Sequence, residues 1–322
     1  MKKIILIVAG LFLLLGQANY SLAYDLQTLE NTPVNGDFVL GPGKVDLVLD
    51  PGEKATQQIM VTNRLGRDEN FKIELEDFSG SNDIDQTVKL FGEAKGPYSM
   101  KDYIKPEITE FSLKHGERMI IPLEITIPED SEAGGLYASV LVSTVPSDED
   151  AKLNEGQTRL ISRLGTLFFV RVAGDVNESG TLQEFKITPS PKGLYEEGPI
   201  PFEVIFKNEG NVHLIPSGKI EIKNLLDKKV GEVTIDKYFA MPDSLRSRIV
   251  NWESGFLFGR YTATLTLDKN YQQKSSESDQ MEVSFWVIPW KIILVAVVAI
   301  IIVFRLIRFV LGKFKFEIKR KE

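Results

Sequence analysis

The sequence predicts an all-β chain of two tandem immunoglobulin-like β-sandwich domains, followed by one C-terminal transmembrane helix. Three observations carry this. Apolar residues recur at alternate positions through most of the chain, the period of a strand with one buried face. Turn signals rich in Pro, Gly, Asn and Asp break the alternation every 8 to 15 residues, as in sandwiches. Near the end, one uncharged apolar run is long enough to approach the thickness of a bilayer.

The elements follow in chain order. Residues 1–23 read as a secretory signal peptide. Lys2 and Lys3 precede an apolar stretch at 4–15, and Ser21 and Ala23 are the small residues before a cut at Tyr24. Residues 24–174 form the first expected domain. "KVDLVLDPGEKATQQIMVTN" (44–63) gives two strands around a turn at Asp50, Pro51, Gly52 and Glu53. Phe71, Ile73 and Leu75 alternate with charged neighbours. "ERMIIPLEITIPED" (117–130) is another strand, in which Pro122 suggests an edge or a bulge. Residues 78–106 read as an insertion with a helical turn near 99–104, and 147–157 as an acidic surface loop. "TRLISRLGTLFFVRVAG" (158–174) suits a buried central strand.

After a break at 174–180, seven strand-like segments fill 180–285, the size of one immunoglobulin-like domain. The two halves share marks. A strand ends in Asn followed by Gly, at Asn63 to Gly66 and again at Asn208 to Gly210. "GGLYASVLVS" (134–143) and "GRYTATLTLD" (259–268) each place a glycine two residues before a tyrosine, Gly135 before Tyr137 and Gly259 before Tyr261. A glycine there permits a sharp turn or a close approach, and the tyrosine packs its ring while its hydroxyl finds a partner.

The transmembrane segment is expected over 288–308 and a basic cytoplasmic tail over 309–322. Residues 288–304 alone would make a helix of about 26 Å. Trp286 and Trp290 suit the outer interface, and Lys291 can snorkel. From Arg305 onward seven basic residues face two acidic ones, which puts this end on the cytoplasmic side. The domains at 24–285 are therefore expected outside the cell.

Charge narrows the partners. Ten of the 38 basic and two of the 45 acidic residues lie outside 24–285, leaving that body at −15. Such a surface disfavours nucleic acid and anionic lipid. With no cysteine, disulfides, thiol catalysis and thiolate metal sites are excluded, and an extracellular body without disulfides suits a bacterial envelope.

Catalytic patterns are missing. His115 and His213 are the only histidines and stand apart. There is no HExxH, GxSxG or phosphate-cradling glycine loop. Asp77, Asn82, Asp83 and Asp85 could together hold Ca²⁺, but an acidic solvated loop is the simpler reading. Trp252, Phe256 and Phe258 flank the turn into the second Gly-x-Tyr strand, where aromatics either pack the core or meet a sugar or protein. No catalytic, cofactor-binding or metal-binding residue is assigned, and the chain is read as a non-enzyme.

One resemblance adds to this. "LDPGE", "VTN", "DYI", "IPEDSEAGGLYASV" and a long strand ending "VRVAG" occur in order over 24–174. With Leu49, Pro51, Gly52, Asn63, Asp102, Tyr103, Ile104, Pro128, Gly134, Gly135, Leu136 and Tyr137 at the matching positions, the first domain resembles the WxL-interacting proteins of Gram-positive bacteria. The resemblance implies two immunoglobulin-like domains, the first associated with peptidoglycan and the second with a protein partner. The expected function is thus a membrane-anchored surface protein that binds cell-wall polymer (peptidoglycan), another surface protein, or both, for adhesion or scaffolding. The alternatives are a structural subunit of an envelope or secretion complex with a cytoplasmic tail contact, and a carbohydrate-active enzyme with dispersed carboxylates.

Overall fold

A computed structural model describes residues 24–83, 86–145, 161–188, 194–273 and 277–313. The expected signal peptide, the acidic loop at 147–157 and the basic tail beyond Lys313 lie outside the described residues. The described chain is mostly β, with a single long helix at its C-terminal end. It divides into two compact units. One comprises Met1–Ser79 and Val88–Val176, the other Gly80–Thr87 and Asn177–Glu322. Part of the sequence-predicted insertion, Gly80–Thr87, thus groups with the second unit.

In the first unit one sheet has the order β1 (Asp25–Thr28), β9 (Glu117–Thr126), β4 (Lys54–Arg64), β2 (Asp37–Gly41), with β7 (Ile104–Pro106) also on β9. The other has the order β3 (Lys44–Leu49), β11 (Arg163–Val172), β10 (Gly134–Val145), β5 (Glu69–Gly80), β6 (Val88–Leu90), with β8 (Glu110–Leu113) also on β5. Ile59, Val61, Ile121 and Leu123 from the first sheet share one core cluster with Ile73, Val140, Val142, Phe168 and Val170 from the second. The unit is therefore a sandwich, and its alternation records which side chains face that core. The turn at Asp50–Glu53 passes the chain from one sheet to the other rather than closing a hairpin, since β3 pairs with β11 and β4 with β9. Gly52 takes φ +79° there.

Pro122 does not mark a sheet edge. β4 covers one side of β9 throughout. On the other side β1 pairs with β9 as far as Ile120, and β7 begins at Leu123. Pro122 falls in the gap, where no ladder donor is needed.

The second unit pairs β12 (Gly180–Ile187), β14 (Ile200–Asn208) and β17 (Ser244–Trp252) in one sheet. The other runs β13 (Leu194–Tyr195), β19 (Ser278–Val287), β18 (Gly259–Asp268), β15 (Ser217–Asn224), β16 (Lys229–Ile235). Phe202, Val204 and Phe206 meet Ile220, Leu265 and Phe285 in its core. β13 is the strand that the sequence does not reveal; two residues leave no periodicity to read. Helix α1 (Trp290–Lys313) follows β19.

The Asn marks prove to be one device used twice. Asn63 and Asn208 are both 0% exposed. The Asn63 amide donates to the carbonyls of Arg67 and Leu113, each at 2.8 Å, and its oxygen accepts from Leu65 N–H at 2.9 Å. The Asn208 amide donates to Val212 at 2.8 Å and Ala240 at 2.9 Å, and its oxygen accepts from Gly210 N–H at 2.9 Å. Each side chain thus satisfies three backbone groups inside its sandwich, tying a strand end to the turn that follows and to a more distant segment.

The Gly-x-Tyr marks are not equivalent. Ala138, Val140 and Val142 face the first core, so Tyr137 projects from the opposite face of its sheet. There it is fully buried beside Phe78, Tyr98 and Phe169, with centroids 5.8, 5.9 and 5.7 Å away. A Cβ on Gly135 would collide with the Tyr137 ring and hydroxyl, so the glycine makes room for the folded-back side chain. Tyr261 faces inward with Ala263, Leu265 and Leu267. Gly259 has no neighbour near a Cβ position but sits at φ +106°. The same spacing serves clearance in one unit and backbone conformation in the other.

Removing either clamp strands several buried backbone groups, each worth about 1–3 kcal/mol. Asn63→Ala and Asn208→Ala should each destabilise their unit by about 3 kcal/mol. Asn224, which holds the exposed Leu226 and Lys228 amides, should cost about 1 kcal/mol or less as Ala. Thermal unfolding of the full chain in detergent checks this; equal losses at all three positions would contradict the clamp.

Candidate functional site

Asp77 belongs to a different arrangement from the one expected. It is 0% exposed at the end of β5. Its Oδ1 accepts from the N–H groups of Met100 and Lys101, both at 2.9 Å, and its Oδ2 from Gly96 N–H at 3.1 Å. These bonds organise the stretch leading into a short 3₁₀ turn at Lys101–Tyr103. The Lys101 ammonium reaches back to the carbonyls of Glu93 at 2.5 Å and Ala94 at 3.0 Å. Asp77 is thus engaged by backbone. Asn82 and Asp83 belong to the second unit, and Asp85 lies outside the described residues. Among the described residues no group of three or more His, Cys, Asp or Glu could hold a metal ion.

The histidines are structural. His115 accepts from Gly66 N–H at its Nδ1, 3.2 Å away, and its Nε2 lies 3.1 Å from the Thr32 carbonyl. His213 is buried, its ring 5.7 Å from Phe239. The aromatic trio separates. Trp252 is a core residue, 5.8 Å from Tyr261 and 6.5 Å from Phe285, whereas Phe256 and Phe258 are exposed.

A feature that sequence reading missed lies on β17, at the free edge of the three-stranded sheet. Arg246 stands opposite Phe206 and Arg248 opposite Val204. Both arginines therefore share the face that carries the core. The Nε atoms of Arg246 and Arg248 and the hydroxyl of Tyr238 are buried without a protein acceptor. Arg246 donates from Nη1 to Thr87 Oγ1 at 2.6 Å, and neither guanidinium has a carboxylate partner among the described residues. Burial, then the Arg248 charge, lowers the basicity of Arg246; burial raises the pKa of Tyr238 against the opposing pull of both arginines. Arg246 and Arg248, two residues apart on one face and without a carboxylate partner among the described residues, form an array of donors. Such an array accepts an oxyanion, and the planar fork of arginine matches a carboxylate. The alternating pattern of "SLRSRIV" was legible in sequence, but the identity of β17 as an edge strand was not.

No family model matches the chain, and no curated protein matches it. Among solved structures the matches include the class 5 fimbriae chaperone CfaA, 13% identical with a TM-score of 0.40, covering 76% of this chain and 98% of that one. The E. coli chaperone DraB matches at 12% identity with a TM-score of 0.35, over 77% and 97%. A PapD-like domain of human CEP192 matches at 11% identity with a TM-score of 0.30, over 44% and 89%.

These findings correct the expected kinship with WxL-interacting proteins, because the neighbours found are fimbrial chaperones and a PapD-like domain. The motifs that carried the resemblance are sandwich construction. Leu49 lies in the core, Gly52 supplies a positive-φ turn, Asn63 is a clamp, and Gly135 clears Tyr137. The wall-polymer assignment rested on that resemblance and falls with it.

Asp77 yields a pH dependence. Burial opposes its ionisation, yet hydrogen bonds from the Ser99 side chain and the Lys101, Met100 and Gly96 amides outweigh this and hold its pKa below 3.8. A depressed carboxylate contributes stability that is complete above its unfolded pKa and lost as pH falls through the folded value. The amides of Gly96, Met100 and Lys101 should therefore stay protected from exchange at pH 4, beyond the intrinsic effect of pH, and lose that protection only in stronger acid. Asp77→Asn should expose them already at neutral pH, at a cost of about 1–3 kcal/mol. Unchanged protection in the variant would remove Asp77 from this role.

Proposed function

We propose that the chain is a single-pass membrane protein that holds two immunoglobulin-like sandwiches outside the membrane, where they bind a polypeptide partner without catalysis. The observation that carries this is helix α1. Trp290–Leu311 is 22 residues long, apolar enough to cross a bilayer, and none of it is buried in the protein. At about 1.5 Å per residue it spans roughly 33 Å, against about 30 Å of hydrocarbon. A helix apolar on every side and covered by nothing calls for lipid. The basic residues beyond Phe304 favour the cytoplasmic side for the C-terminal end, which leaves 24–285 on the other side, as the proposed signal peptide at 1–23 also requires.

A protein partner is favoured by the β17 edge. An exposed strand edge can accept another chain, and Arg246, Arg248 and Tyr238 offer a place for one of its carboxylates. Membrane tethering raises the local concentration of both sandwiches, so that modest contacts suffice. An impermeant cross-linker applied to intact cells should capture a polypeptide on the wild-type chain, with a several-fold lower yield for the Arg246→Gln/Arg248→Gln variant at equal surface amount. Equal yields, or capture only after lysis, would argue against the reading.

A further inference from the structure

The second unit exposes large apolar side chains at two turns. Leu225 and Leu226 are 71% and 84% exposed, and Phe256 and Phe258 are 73% and 62% exposed. Single exposed apolar residues need no explanation, but strand register shows that these four share one end of the sandwich. Gly259, the first residue of β18, pairs with Val287, the last of β19. The turn carrying Phe256 and Phe258 therefore lies beside the point where the chain leaves for helix α1. β15 is antiparallel to β18, with Asn224 opposite Tyr261, so the turn carrying Leu225 and Leu226 is at that end too. β18 is one strand from β19 and β15 is two, which places the turns about 5 and 10 Å sideways from the helix exit.

The helix start is fastened to this same end. Ile288 N–H donates to the Tyr195 carbonyl at 2.7 Å. Glu196 accepts from the Trp290 indole at 2.5 Å and pairs with Lys291 at 2.8 Å. Trp286 and Trp290 are half-exposed beside it. The sandwich end and the first turn of the helix thus hold a common orientation, with four apolar tips and two tryptophans ranged around one axis.

We propose that this end of the second unit rests on the bilayer, with the turns at Leu225–Leu226 and Phe256–Phe258 inserted among the lipid headgroups and upper acyl chains. The proposal builds on the reading of α1 as membrane-spanning and adds that the domain docks on lipid rather than swinging free above it. Aromatic and aliphatic side chains gain from leaving water at that depth, and tryptophan favours the interface. Charge at this end is balanced. Lys223 pairs with Asp227 at 3.4 Å beside one tip, with Lys228 exposed in the same turn, while Glu197, Glu253 and Arg260 lie near the other. Such a balance suits zwitterionic headgroups.

The chain has no cysteine, so single labels can be placed without background. Leu226→Cys, Phe256→Cys, Lys237→Cys and Val298→Cys each carry an environment-sensitive fluorophore on the full-length protein in phosphatidylcholine vesicles. Ile235 and Gly218 pair at the far end of β15 and β16, so the label at 237 reports the opposite end of the sandwich. Labels at 226 and 256 should shift to the blue and lose most of their emission to quenchers attached near the lipid headgroup, whereas the label at 237 should do neither. The label at 298 should be quenched from deep in the bilayer. Quenching at 298 without quenching at 226 and 256 overturns the docking proposal while leaving the span in place. No lipid quenching at 298 overturns the span itself. A blue shift at 226 and 256 that ignores lipid quenchers and fades as the protein is diluted into excess lipid assigns these tips to a second copy of the chain and rejects lipid docking.

Discussion

A helix whose apolar surface touches no other part of its chain has to find another solvent. In a soluble protein the apolar stripe of a helix is covered by a core, and the remaining faces are polar. Helix α1 has apolar side chains all round from Ile292 through Phe304, and the large ones stay exposed, uncovered by the rest of the chain. Backbone hydrogen bonds are satisfied within the helix, so hydrocarbon is a suitable medium for it. The proposed function of the two sandwiches depends on this requirement, because the proposal places them on one side of a bilayer and turns one end of the second toward lipid.

The sandwiches solve a different difficulty. Two sheets enclose an apolar core well, but the turns at their ends strand backbone groups where water cannot reach. Asn63 and Asn208 answer this with the same set of three hydrogen bonds, though the surrounding sequences differ. Asp77 extends the idea to a longer stretch, with charge added, and in doing so covers the Tyr137 ring through Tyr98. Buried polar side chains in this protein mainly hold loops in place.

Period-two alternation was enough to read the longer strands and the all-β class, because most of these bury one face, whereas strands as short as β6, β7 and β13 hold too few residues to alternate. The apolar helix was legible for the same reason in reverse: it buries none. Site chemistry was harder. Asp77 read as part of an acidic solvated loop, with Ca²⁺ binding as the alternative, because sequence shows carboxylates but not the amides that point at them. Pro122 looked like an edge because sequence does not show which neighbour stops short. The Gly-x-Tyr pair looked like a repeat because spacing does not reveal which face of a sheet a residue takes. Arg246 and Arg248 drew no notice, since two arginines on a strand acquire meaning only once β17 is known to be an edge. The family resemblance failed on related grounds: Pro-Gly turns and strand-end asparagines recur wherever two sheets must be joined.

The central claim is one crossing of the membrane by Trp290–Leu311, with both sandwiches on the outer side. The most direct measurement uses a membrane-impermeant maleimide on intact cells that express either Lys237→Cys or Lys319→Cys in this otherwise cysteine-free chain. The account predicts labelling at 237 in intact cells and at 319 only after the membrane is opened. Labelling of both positions in intact cells, or of neither before lysis, would contradict it.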